Sequence, residues 1–118
     1  MFEAQYLMTD NSSGNHFFGP WVSRAADNIT YMVAIEQISG ATLTVELWEK
    51  NLEDSGNGAQ HTDATTGALS ATGETSEDVA GVEELVRYRY TIKANEPSTL
   101  GWVLFRMLPP VWGDAVEV

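Results

Sequence analysis

A chain of 118 residues has room for one domain around one hydrophobic core, because domains run to roughly 100–150 residues. Its 43% hydrophobic and 19% charged residues are the composition of a folded chain rather than a disordered one. Seventeen Asp and Glu against six Lys and Arg leave a formal net charge of -11, which argues against nucleic acid or an anionic membrane surface as partner, since both require clustered cations.

Period-2 alternation recurs along the chain and helical periodicity is nearly absent, the signal of an all-β protein. The start, Met1-Phe2-Glu3-Ala4-Gln5, has neither the basic residues nor the apolar core of a secretory signal, so synthesis and folding in the cytosol are expected. No apolar run approaches the roughly 20 residues of a membrane span. Two short strands are expected first, at Phe2 to Met8 and at Phe17 to Arg24. Gly19-Pro20 interrupts the second and suits a sheet edge, because proline lacks the N–H that a central strand donates.

Ile29 to Glu36 places Ile29, Tyr31, Val33 and Ile35 on one face. Thr42 to Lys50 sets Leu43, Val45 and Leu47 against Thr44, Glu46 and Trp48. With Gln37 to Ala41 as a Ser-Gly turn between them, these two strands are expected to pair as an antiparallel hairpin.

Residues 51–84 differ from the rest: they hold eight acids, five glycines and no Lys or Arg. The remaining nine acids and six bases sum to -3, so the acidity is local. A long, solvated excursion is expected here, with one or two short strands such as Ala68 to Thr72, and deleting part of Asp54 to Glu77 is expected to cost little stability.

Beyond it, Val86, Tyr88, Tyr90 and Ile92 alternate with Arg87, Arg89, Thr91 and Lys93, giving an aromatic-apolar face and a cationic one. After the turn-rich Ala94 to Thr99, the run Leu100 to Leu108 is apolar on both faces, as in a strand covered on both sides by a second sheet or a neighbouring subunit. Pro109-Pro110 ends it. Six to eight antiparallel strands in residues 1–118, with the excursion at 51–84, predict a single all-β domain, a β-sandwich or small barrel of Greek-key or jelly-roll type.

Chemistry finds little support. With no cysteine there are no disulfides, thiolate metal sites or cysteine nucleophiles. His16 and His61 stand far apart without partners at metal-ligand spacing; His61 is expected in solvent and His16 packed or hydrogen-bonded. Glu83-Glu84 and Glu53-Asp54 are adjacent pairs, and strand neighbours point to opposite faces, whereas acid/base pairs must share a cleft. Asp54-Ser55-Gly56-Asn57-Gly58 is an oxygen-rich glycine turn that lacks the alternating acids and distal Glu of an EF-hand loop. No nucleophile elbow or phosphate loop occurs. The expectation is a protein that is not an enzyme and needs no cofactor or metal.

Four tryptophans remain. Trp102, within its apolar run, is assigned to the core. Trp48 lies on the polar face of its strand, and Trp21 and Trp112 sit beside Gly and Pro, where a ring can dock on a partner or cap a sandwich. Trp21, Trp48, Trp112, Pro109 and Pro110 are therefore interface candidates. Arg87 and Arg89 join them as cations that pair with acidic residues of this chain or of a neighbour.

The short N-terminal strand, Gly19-Pro20-Trp21-Val22, the alternating pair ending in Lys50-Asn51-Leu52-Glu53-Asp54-Ser55-Gly56, and Glu84-Leu85-Val86-Arg87-Tyr88-Arg89-Tyr90-Thr91 leading to Gly101-Trp102-Val103-Leu104-Phe105-Arg106-Met107-Leu108-Pro109-Pro110-Val111-Trp112 together resemble small virion proteins of tailed bacteriophages. The resemblance implies a capsid decoration or cement protein, a β-sandwich on the outer shell that binds the major capsid protein and its own copies, commonly as a trimer, and is assembled in the host cytoplasm. A head or tail fibre subunit would share this style. The alternative from a different class is a carbohydrate-binding module, marked by two or three coplanar exposed rings.

Overall fold

Alternating apolar and polar positions produce strands whose two faces differ, and such strands bury their apolar faces by packing sheet on sheet. The computed structural model describes residues 4–113 and contains ten strand segments, with no helix among the described residues. They are β1 (Gln5–Thr9), β2 (Asn15–Phe18), β3 (Val22–Ser23), β4 (Asn28–Ser39), β5 (Ala41–Lys50), β6 (Ala59–Thr65), β7 (Gly73–Val79), β8 (Leu85–Ala94), β9 (Gly101–Met107) and β10 (Val111–Gly113). Of the first expected strand, Phe2 and Glu3 lie outside the described residues.

The first sheet runs β1, β9, β4, β7 and the second runs β2, β8, β5, β6, with every pairing antiparallel. β10 meets β4 at Asn28 to Thr30 in line with β9, and β3 meets β8 in line with β2. Each is thus the continuation of an interrupted strand. Gly19-Pro20-Trp21 breaks one and Leu108-Pro109-Pro110 breaks the other, because proline withholds its ladder donor. Counting each interrupted strand once, the first, eighth, third and sixth strands face the second, seventh, fourth and fifth. This is the jelly-roll order, two Greek keys folded into a sandwich.

The expected hairpin between Ile29–Glu36 and Thr42–Lys50 does not form: β4 belongs to the first sheet and β5 to the second. Only Gly40, at φ +66°, separates them, and the chain arches from one sheet into the other. The apolar faces that a hairpin would place side by side instead meet across the core. Ile29, Tyr31, Val33 and Ile35 oppose Leu43, Val45 and Leu47, all buried. Val103, Phe105 and Met107 from β9 and Val86, Tyr90 and Ile92 from β8 complete the layer. Fully burying side chains of this size stabilises by about 1.5–3 kcal/mol each. The rings of Tyr31, Tyr88, Tyr90 and Phe105 form a chain through it with successive centroids 5.5, 6.2 and 5.3 Å apart.

Residues 51–84 are less of an excursion than expected. β6 pairs with β5 and β7 with β4, closing one side of the sandwich, and Ala64, Val79 and Val82 enter the core. Ala68 to Thr72 contributes an isolated bridge between Leu69 and Leu43 rather than a strand. Except for Glu77, which stands opposite Tyr31 on the inward side of β7, the acids of this segment occupy its outward positions or the loops, which is why its charge masks its strand character.

Candidate functional site

Period 2 and register together decide which side chains share the outer face of the second sheet. Leu43, Val45 and Leu47 point inward, so Glu46 and Trp48 point outward; Tyr88 and Tyr90 point inward, so Arg87 and Arg89 point outward. The ladder sets Phe18 beside Arg89 and Arg89 beside Glu46, and Arg87 beside Trp48. Trp21, in the break between β2 and β3, reaches the same face.

The result is a ladder of rings and guanidinium groups. Arg87 lies 3.8 Å from the centroid of Phe18 and 4.3 Å from that of Trp21. Arg89 lies 5.1 Å from Trp48 and 5.8 Å from Phe18, and Phe18 meets Trp48 edge to face at 5.1 Å. Lys50 sits 5.0 Å over Trp21. Arg89 donates to Glu46 at 3.2 Å, as does the Trp48 indole N–H, so this carboxylate anchors one end of the ladder. Arg87 Nη2 donates to the Asn57 carbonyl at 2.9 Å, and burial against the rings lowers the Arg87 pKa from its ordinary value. The Nε atoms of Arg87 and Arg89 are buried and lack a hydrogen-bond partner among the described residues.

Four of the seven interface candidates, Trp21, Trp48, Arg87 and Arg89, therefore gather in one place. Phe18, which joins them, was missed. Adjacent Phe17 and Phe18 on one strand cannot both face the core, and that was the available signal. Pro109, Pro110 and Trp112 lie elsewhere, at the step between β9 and β10. Pro109 is exposed, while Trp112 points inward beside Ile29 and packs on the core.

The assignment of Trp102 to the core is corrected. Gly101, Val103, Phe105 and Met107 take the inward positions of β9, so Trp102, Leu104 and Arg106 face outward. Trp102 stacks on Tyr6 of β1 at 5.7 Å and 22° between planes. Tyr6 and Met8 are 51% and 50% exposed, and with Leu104, Met32 and Val111 they make the β1–β9 side of this outer face apolar, whereas β7 presents Glu74, Ser76 and Asp78 on its other side. Arg106 and Glu36, paired at 2.8 Å, are its central charges.

Among the described residues no group of three or more His, Cys, Asp or Glu is placed to hold a metal. In the loop Asp54 to Gly58, the Gly56 carbonyl accepts from Lys50 Nζ at 3.0 Å and the Asn57 carbonyl from Arg87, so cationic side chains already hold two of its oxygens. His61 is not in open solvent as expected: its Nδ1 lies 2.8 Å from Glu49 Oε1, and both side chains are largely buried. His16 Nδ1 lies 2.8 Å from Thr91 Oγ1. The exposed rings do not form a coplanar platform, since Phe18 and Trp48 meet at 78° and Tyr6 covers Trp102. The chain matches no family model, no curated protein and no solved structure.

Proposed function

We propose that this chain is a structural component of a virus particle, a capsid decoration protein that attaches to the major capsid protein of a tailed bacteriophage and works without catalysis. The observation that carries the reading is the outer face of the first sheet. β9 carries apolar Trp102 and Leu104 beside Arg106 on its outward side, over which no second sheet packs among the described residues. This side presents Trp102, Leu104, Tyr6 and Met8 as a contiguous surface on an otherwise acidic molecule. Surfaces of this kind mark protein contacts, and aromatic residues and Met are enriched at their centres. The jelly roll accords with it, being a fold that viral capsids use. Copies of the chain assemble as a trimer in this reading, and the high negative charge keeps a densely displayed protein soluble.

The test is to band particles from the source of this sequence by density and analyse their proteins by mass spectrometry. Peptides of this chain in intact particles, released by mild denaturant before the shell opens, support the proposal. Their absence from particles whose lysate contains the chain overturns it. Light scattering coupled to gel filtration then distinguishes a preformed trimer from a monomer that assembles only on the shell.

A further inference from the structure

A cavity of about 620 Å³ lies between the two sheets on the side of the sandwich bounded by β1 and by the interrupted strand β2/β3. That volume falls within the roughly 300–1,000 Å³ of small-ligand sites. The opposite side is closed by β6 and β7, but here the two edge strands leave a gap among the described residues. Phe17 and Val22, which a closed sandwich would bury, remain 41% and 38% exposed. Leu7, Ile29, Leu47, Val86, Met107 and Trp112 make its walls apolar, and the phenols of Tyr88 and Tyr90 stand among them.

Among the described residues Arg87 is the one charged member of the lining. It and Phe18 belong to the outer face of the second sheet, so the cavity reaches that face where β2 stops and β3 has not yet begun. The Arg87 guanidinium is held in place between Phe18 and Trp21, and its buried Nε still lacks an acceptor among the described residues. An unmet N–H of this kind is costly unless something accepts from it.

We propose that the cavity binds a fatty acid, with the acyl chain between the sheets and the carboxylate on Arg87. An apolar body satisfies the walls, and a carboxylate pairs with the cationic guanidinium through the N–H groups that the Asn57 carbonyl leaves free. A single negative charge also meets less repulsion than a phosphate from a chain of net charge -11. Burial raises the pKa of Tyr88 and of Tyr90, so both phenols stay neutral beside the bound acid. The site is independent of the virion reading, because neither the outer face of the first sheet nor attachment to a shell enters the argument.

The full chain, stripped of lipid over a hydrophobic resin, is titrated by calorimetry with dodecanoate below its micelle concentration and with dodecanol below its solubility limit. Native protein is expected to bind dodecanoate at least about tenfold more tightly than dodecanol, the discrimination of a charge-assisted hydrogen bond. Arg87→Gln should abolish that preference while leaving dodecanol binding intact. Val22→Trp, at the exposed mouth, should block both ligands, and circular dichroism with a thermal melt establishes that each variant is folded. No binding by the native chain overturns the proposal. So does dodecanoate binding that survives both substitutions. Presence or absence of the chain in virus particles has no bearing on either result.

Discussion

Tyr6 of β1 stacks on Trp102 of β9, with ring centroids 5.7 Å apart, on the side of the first sheet that faces away from the core. Met8 stands directly across from Trp102 in the same ladder. Neither ring is needed to close the core, and the pair itself contributes only about 0.5–1.5 kcal/mol. The replacement Tyr6→Ser with Met8→Ser should therefore leave the fold intact and lower stability by no more than about 2 kcal/mol. Attachment to particles should fall by tenfold or more, as for hot-spot residues costing about 2 kcal/mol. A thermal melt and a particle-sedimentation assay check both halves, and attachment at the native level would place the contact elsewhere.

Two tryptophans that look alike in sequence, each beside Gly and Pro, should behave differently. Trp112 packs on the core and lines the cavity, so Trp112→Ala should cost about 1–3 kcal/mol, below the ~3–5 kcal/mol of a fully buried ring. Trp21 carries Arg87 and Lys50 on its face, so Trp21→Ala loses about 0.5–2 kcal/mol of cation–π attraction and leaves the core alone. Urea unfolding of the two variants measures the difference. Equal losses would show that Trp21 supports the core as much as Trp112 does.

Removing Ala59 to Val79 should abolish the cooperative fold. The sequence led to the expectation of a small cost, but β6 and β7 close the sandwich and carry Ala64 and Val79 into it. Without them β4 and β5 become exposed edges with unpaired backbone groups. Shortening only Asp54 to Asn57 should be far milder, costing mainly the contacts to Lys50 and Arg87. Amide-exchange protection of β4 separates the two cases.

Alkali should unfold the protein. Burial raises the pKa of Tyr31, Tyr88 and Tyr90 above the ordinary 10.0. Above pH 10.0 the unfolded chain therefore releases phenolic protons that the folded chain retains. The free energy of unfolding is then steady below that pH and falls as pH rises beyond it. The urea midpoint should hold steady to about pH 9 and drop as pH rises past about 10, with phenolate absorbance appearing in step with unfolding. Tyr31→Phe, which loses a 3.4 Å bond to the Val45 carbonyl, should lessen the drop.

Several features were legible because they depend only on alternation along one strand. The inward set Ile29, Tyr31, Val33, Ile35, Leu43, Val45 and Leu47 and the outward pair Arg87 and Arg89 are of this kind. The acidic positions of β7 hid a strand because that edge strand presents Glu74, Ser76 and Asp78 to water. The ladder of Phe18, Trp21, Trp48 and the two arginines was visible only as separate residues, since ladder register joins them from distant parts of the chain.

By itself, the sequence determined an all-β chain with one core, the faces that β4, β5 and β8 bury, and a proline break within one strand and a proline end to another, whose continuation as β10 only the structure shows. Tertiary structure decided that β4 and β5 part into different sheets at Gly40, that Trp102 faces outward and Trp112 inward, and that a cavity remains beside β1 and β3. The reason is physical: alternation assigns faces within a strand, but pairing and arching are set by contacts among residues far apart in sequence. Only the closed sandwich shows which apolar faces have found a cover and which still need one.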